Sequence, residues 1–119
     1  MTDDVEEFDL NNIEHLQRAA HDTAVRHGWW ENPPSFPEVV ALIHSEASEA
    51  LEAYRDGLGP REIHFGEDGK PEGIAIELAD IVIRVADYCE HAGISLAGAI
   101  SIKHFYNEKR PYRHGGKVI

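Results

Sequence analysis

Four polar side chains interrupt an otherwise apolar segment, residues 76–87, at spacings of three, four and three. They are Glu77, Asp80, Arg84 and Asp87, and on an α-helix they fall within an arc of roughly 80°. The remaining residues are apolar nearly all round, which predicts a helix buried by neighbours on several sides. The acids then face either a strip of water, with Arg84 paired to Asp80 or Asp87 along the helix, or a ligand that requires carboxylates.

A second acidic group lies in the segment HSEASEALEA, where Glu46, Glu49 and Glu52 follow one another at intervals of three. Helical geometry places Glu46 at the edge of the apolar face and Glu49 roughly 60° further round. Glu52 points well away and is expected to be an ordinary surface acid. Two helices therefore each offer a pair of carboxylates, E-x-x-E and E-x-x-D, that neighbouring helices could bring together.

Convergence of these four carboxylates would require a cation. Acids held close together repel one another, and a buried charge without a partner is strongly destabilising. Oxygen ligands suit Mg²⁺ or Mn²⁺, and zinc is disfavoured because no cysteine and no obvious histidine joins the set. A di-iron site would need Glu-x-x-His on two helices, and neither acidic pair continues in that way.

The last helical segment carries Lys103, Asn107 and Arg110 at positions i, i+4 and i+7, which places them on one face. This face continues the apolar face of the same segment. Its polar side chains are therefore either solvated at a frayed helix end or directed toward a polar pocket inside the bundle. A lysine, an arginine and an amide suit the oxygens of an oligophosphate. Arg113 and Lys117 could extend the patch. Such cations facing metal-binding acids would form a site for a nucleotide bound with magnesium.

The elements that must position these side chains are four helices, each bounded by residues that cap or stop a helix. The first is expected over about residues 12–27, with Asn11 as its cap and Gly28 as its stop, and the second from a Ser35–Glu38 capping box to about Arg55. The third is expected from near Gly73 to Ala92, with Gly93 as its stop. The fourth is capped by Ser95 and ends before Pro111. The second and third helices are separated by a Gly/Pro-rich loop, residues 57–73, which is either a flap beside a site or a solvated connection. Within it, EDGK could form the tip of a small hairpin.

Length and composition indicate one globular domain, residues 1–119, with an acidic arm over about 1–10 and a basic, irregular tail over about 111–119. A net charge of -11 argues against nucleic acid as a partner, because phosphate contacts need a basic surface. Cys89 is the only cysteine, which favours a reducing compartment and a core-packing role. We find no apolar leader and no run long enough to span a membrane, and we therefore expect a cytoplasmic protein.

Three segments together resemble the MazG-like all-alpha nucleoside triphosphate pyrophosphohydrolases, a family that includes dimeric dUTPases and related dCTP pyrophosphatases. They are SEASEALEAYRDG, KPEGIAIELADIVIRVADYC and KHFYNEKRPYRHGGK, and with the order of the helices they carry the resemblance from Trp29 onward. The resemblance implies an all-α, four-helix bundle with a long Gly/Pro-rich loop between helices 2 and 3. It also implies hydrolysis between the α and β phosphates of a nucleoside triphosphate, giving the monophosphate and pyrophosphate, in a homodimer or a dimer of dimers.

The resemblance further implies a role for each group of site residues. Mg²⁺, for which Mn²⁺ can substitute, would be bound by Glu46, Glu49, Glu77 and Asp80, and the phosphates by Lys103, Asn107, Arg110 and Lys117. We expect Glu49 to orient or deprotonate the attacking water. Family members that select pyrimidines stack the base on rings ahead of the first acidic pair, which here selects His21 and Trp30, although one of the tryptophans 29 and 30 could instead be a hydrophobic plug.

One departure from the family pattern supports an alternative, non-enzymatic hypothesis. The family motif often begins with two adjacent glutamates, whereas this chain has Ser45 before Glu46. A helical module that binds a nucleotide or a partner without catalysis is therefore the alternative hypothesis. A purely structural bundle with solvated acids is a third.

Overall fold

The computed structural model describes residues 12–118 and is almost entirely helical. Four long helices follow one another along the chain, and a short fifth helix and a two-stranded hairpin complete the described part. They are α1 (Ile13–Arg26), α2 (Phe36–Arg55), α3 (Ile74–Ala92), α4 (Leu96–Glu108) and α5 (Arg113–Gly116), with β1 (His64–Phe65) and β2 (Pro71–Glu72) between α2 and α3. The predicted all-α class with four main helices is confirmed. The predicted acidic arm lies outside the described residues.

The helix ends follow the local capping chemistry of the sequence. Ser35 accepts a hydrogen bond from the backbone N–H of Glu38 at 3.3 Å, and the Glu38 carboxylate accepts one from the Ser35 backbone at 2.9 Å, which confirms the capping box. Gly93 ends α3 in the left-handed conformation, as its position predicted. The N-cap of α1 is Asn12, which accepts from the His15 N–H at 3.0 Å, so the prediction of Asn11 as the cap is wrong.

Helix α3 is the central element, since both α1 and α2 pack against it while α4 lies against α1. The core between these helices is small and built from short side chains, among them Ala20, Val39, Ala86 and Cys89. The thiol of Cys89 is buried, which raises its pKa and agrees with the predicted packing role. Helix α3 contacts α1, α2 and strand β2, but Leu78, Val82 and Ile83 on it are exposed, so its apolar surface is less buried within the single chain than predicted.

The loop between α2 and α3 folds back on itself as the predicted hairpin. Strands β1 and β2 pair antiparallel, and the Gly66 N–H donates to the Lys70 carbonyl at 2.8 Å across the turn. Gly73 joins the hairpin to α3 with φ 142°, and a Cβ at this position would overlap the carbonyl oxygen of Glu62. Only glycine meets both requirements, so Gly73 fixes where the hairpin leaves the start of α3.

The tail after α4 is less irregular than predicted. Helix α5 (Arg113–Gly116) forms one turn in it, closed by a 2.7 Å hydrogen bond from the Lys117 N–H to the Arg113 carbonyl. Gly115 and Gly116, both at positive φ, allow the chain to close this turn. Across residues 12–118, none of the helices has the length and apolar character that crossing a bilayer demands.

Candidate functional site

Three carboxylates converge where α2 packs on α3. Glu46 from α2 and Glu77 and Asp80 from α3 each place one carboxylate oxygen so that the three atoms lie within 4.8 Å of one another. Glu46 is only 7% exposed, and the other two are half-buried. The convergence expected from the E-x-x-E and E-x-x-D spacings is therefore present for these three residues.

The cluster holds more negative charge than its surroundings neutralise. Burial, together with the neighbouring Glu46 and Glu49 carboxylates, raises the pKa of Glu77 to about 7. Burial and the charge of Glu46 also raise the pKa of Asp80. Oxygen Oε2 of Glu77 is buried and has no hydrogen-bond partner among the described residues. Such an arrangement requires either a bound proton or a cation.

Glu49, the fourth predicted metal ligand, lies at the rim of this cluster. It is exposed and does not belong to the group of three converging oxygens. Its charge nevertheless contributes to the raised pKa of Glu77, so the two carboxylates are neighbours. The structure therefore separates the predicted set into three inner acids and one acid open to solvent.

Arg84 neutralises part of the cluster from α3. Its Nε and Nη2 atoms both lie 3.0 Å from Oε1 of Glu46, across the interface between α2 and α3. Burial acts to raise the pKa of Glu46, but the hydrogen bond and charge of Arg84, together with hydrogen bonds to Glu49 and Glu77, lower this pKa on balance. The predicted pairing of Arg84 with Asp80 or Asp87 along α3 is wrong. The guanidinium instead pairs with the more deeply buried carboxylate of Glu46 on α2, where an unpaired charge would be more destabilising.

Asp87 likewise pairs with other elements and not along its own helix. Its Oδ1 accepts hydrogen bonds from Nδ1 of His21 at 2.8 Å and from Nε1 of Trp30 at 2.9 Å. The Trp30 ring also stacks on His91, with ring centroids 4.1 Å apart and planes inclined by 17°. Trp30 is thus held at its edge by Asp87 and on one face by His91.

A largely apolar pocket of about 480 Å³ opens beside the cluster, between α1, α2 and α3. Its wall passes from aromatic to charged residues and includes Trp29, Trp30, Val39, Asp80, Arg84 and Asp87. Of the two predicted base-stacking residues, Trp30 lines this pocket. His21 does not line it, and its ring instead contacts Trp30 at a centroid distance of 5.4 Å. Trp29 is 67% exposed at the pocket, so Trp30 is the more deeply packed of the two tryptophans.

The predicted phosphate-binding residues lie on α4 and in the segment after it, outside the described pocket lining and acid cluster. Lys103 and Asn107 are exposed on α4, Arg110 is half-buried after it, and Lys117 is exposed beyond α5. The charged groups of Lys103 and Arg110 lie 4.9 and 5.5 Å from the ring centroid of Tyr106. None of these four residues is among the described residues that line the pocket or form the carboxylate cluster. Their phosphate role remains a prediction.

Four residues outside the predicted site set belong to its surroundings. Arg84 and Asp87 pair across helices, and His91 covers one face of Trp30. By the same helical arithmetic, His91 falls inside the arc of the polar stripe that begins at Glu77. Continuing that stripe by one more turn would have indicated it. Lys70, on the hairpin, was also missed, and its charge lowers the pKa of Asp80 against the larger effect of burial.

The fold and the site together describe an all-α protein with an inner carboxylate cluster beside an aromatic pocket. Comparison with family models, with curated proteins and with solved structures finds no match. A functional assignment must therefore be argued from the geometry of the described residues and from the sequence motifs.

Proposed function

We propose that this protein is a Mg²⁺-dependent nucleoside triphosphate pyrophosphohydrolase, which cleaves between the α and β phosphates to give a nucleoside monophosphate and pyrophosphate. The observation that carries the proposal is the position of Asp80. This residue belongs both to the carboxylate cluster and to the wall of the aromatic pocket. A base bound against Trp30 would therefore have its phosphates directed toward the acids.

The acids fit a hard divalent cation. Glu46, Glu77 and Asp80 supply oxygen ligands only, and within residues 12–118 no donor reaches the buried Oε2 of Glu77. Glu49 at the rim would complete the set of four, and Mn²⁺ is expected to substitute for Mg²⁺. When bound, the ion supplies the positive charge that a triphosphate needs and increases the acidity of nearby water.

The protein side chains would activate the attacking water and bind the base. Glu49 is exposed next to Glu77, where it could orient the attacking water and accept its proton. Trp30 offers an aromatic surface in a pocket large enough for a base and sugar, and Asp87 fixes the orientation of this ring through its indole N–H.

The proposed enzyme is a homodimer or a dimer of dimers. Helix α4 has no buried residue among its thirteen, and it exposes Ile102 by 76% and Phe105 by 62%. On α3, Leu78 and Val82 are 52% and 50% exposed. Association of copies would cover such apolar surface. Sedimentation at micromolar concentration should therefore show no monomer, and a purely monomeric species would contradict this part of the proposal.

The location proposed is the cytoplasm, in keeping with the single buried thiol of Cys89. We expect nucleoside triphosphates as ligands, with no role for nucleic acid given the net charge of -11.

The deciding experiment measures products from a panel of canonical and damaged nucleoside triphosphates in the presence of Mg²⁺. Pyrophosphate and the monophosphate should form in equal amounts. Glu77→Gln should abolish the reaction while the helical circular dichroism persists, because it removes the central carboxylate. Glu52→Gln, at an exposed acid on α2, is the matched control and should retain activity. Release of inorganic phosphate alone would rule out cleavage at this position.

The alternative is a nucleotide-binding or partner-binding module without turnover, motivated by Ser45 where the family often has a second glutamate. Tight nucleotide binding with no product under any divalent ion would favour it. If divalent ions also leave the melting temperature unchanged, a purely structural bundle with solvated acids becomes the better description.

A further inference from the structure

The guanidinium of Arg84 sits at the junction between the carboxylate cluster and the aromatic pocket. Among the lining residues in the described part of the chain, Arg84 is the only arginine or lysine. Two of its nitrogens are directed at the same atom, Oε1 of Glu46, at 3.0 Å each. This arginine of the pocket wall is therefore already paired with a carboxylate of the cluster.

The ion pair between Arg84 and Glu46 would compete with metal binding at the same acids. Glu46 is 7% exposed and has little room for several cationic partners at once. A divalent ion held by Glu46, Glu77 and Asp80 would compete for the same carboxylate and repel the guanidinium. Arg84 is 34% exposed, so its end can move into the pocket without crossing a packed core.

We propose that Arg84 is an exchangeable cation, which neutralises Glu46 in the absence of metal and contacts a phosphate oxygen of the bound nucleotide when metal takes its place. The inference rests on the proposed function. It gives the pocket a phosphate-binding group that belongs to the same chain as the acids. A guanidinium suits this task because its planar fork can donate two parallel hydrogen bonds to a phosphate.

Two consequences of opposite sign follow from the exchange. Without Arg84 the metal no longer displaces a competitor, so metal binding should become tighter. Without Arg84 the nucleotide loses a charged donor, so nucleotide binding should become weaker. A residue that merely held Glu46 in position would make both interactions weaker when removed.

The experiment compares the full-length wild type with Arg84→Met and Arg84→Lys. Mn²⁺ binding without nucleotide is followed by electron paramagnetic resonance, and binding of an α,β-methylene deoxynucleoside triphosphate is measured by calorimetry in Mg²⁺. For Arg84→Met we expect the Kd for Mn²⁺ to fall severalfold and the Kd for the analogue to rise about tenfold. Arg84→Lys keeps the charge without the fork, so it should bind Mn²⁺ like the wild type and the analogue more weakly.

The matched control is Arg55→Met, at an exposed arginine whose partner Glu52 lies outside the cluster. It should change neither constant, and circular dichroism establishes that each variant is folded. If Arg84→Met does not fold, the analogue affinity of Arg84→Lys decides the phosphate contact. Weaker Mn²⁺ binding by Arg84→Met, or unchanged analogue binding by both variants, would overturn the exchange. A wild type that binds no Mn²⁺ would instead overturn the proposed function, and the exchange with it.

Discussion

Replacing Glu77 by glutamine should stabilise the metal-free protein at alkaline pH, although it removes the residue at the centre of the proposed site. In the wild type, burial and the charges of Glu46 and Glu49 raise the pKa of Glu77 to about 7, well above its ordinary value of 4.5. The folded state therefore binds a proton more tightly than the unfolded chain does. Stability from this group is present below pH 4.5 and is lost as the pH rises through 7.

The size of the effect follows from the gap between the two pKa values. At about 1.4 kcal/mol for each pH unit, the loss at pH 8 is at most about 3.5 kcal/mol. Partial exposure of Glu77 and proton sharing with Glu46 reduce this figure, and we expect about 1–2 kcal/mol. Glutamine carries no charge and can donate a hydrogen bond to Glu46, so the variant avoids the loss. For a chain of this length the gain corresponds to about 5 °C in melting temperature.

The assay is thermal unfolding followed by circular dichroism in EDTA, between pH 5 and pH 8. Glu77→Gln should melt above the wild type at pH 8, and the difference should shrink toward zero as the pH approaches 4.5. Glu52→Gln, at an exposed acid of α2, should show no such pH-dependent gain. A Glu77→Gln protein that melts below the wild type at pH 8 would refute the crowding of carboxylates on which the metal site is argued.

Three further outcomes are expected. Mg²⁺ should raise the melting temperature of the wild type most at pH 8 and progressively less below pH 7 in a thermal titration, because a proton on Glu77 competes with the ion. Gly73→Ala should destabilise by more than 2 kcal/mol in urea unfolding, and Gly57→Ala by less, since both have positive φ but only Gly73 also meets a backbone oxygen. Asp87→Ala should cost about 1–3 kcal/mol in the same assay and shift the tryptophan fluorescence, because Trp30 loses its acceptor; an unchanged spectrum would contradict this.

Much of the local structure could be predicted because it depends on neighbours a few residues apart. The capping box of Ser35 and Glu38, the left-handed stop at Gly93 and the EDGK hairpin each involve side chains or backbone within one turn. The spacing also predicted that Glu77 and Asp80 share one face of their helix, because residues three or four apart lie on one side of an α-helix.

Pairings between helices could not be predicted in the same way. Arg84 has acids at i−4 and i+3 on its own helix, and local rules favour either of them. Its observed partner, Glu46, lies 38 residues earlier in the chain. That choice depends on how α2 and α3 are rotated about their axes and on which carboxylate is more deeply buried. For the same reason, the sequence could not place the cations of α4 relative to the acids.

The sequence by itself determined the all-α class, most of the helix ends and the set of acids that could share a face, because these follow from local propensity and helical period. Only the tertiary structure decided which acids meet, which cation neutralises them and which aromatic rings line the neighbouring pocket. Those contacts join residues far apart in the chain, such as Arg84 to Glu46 and Asp87 to Trp30. Their geometry depends on the register and rotation of packed helices, which no local pattern specifies.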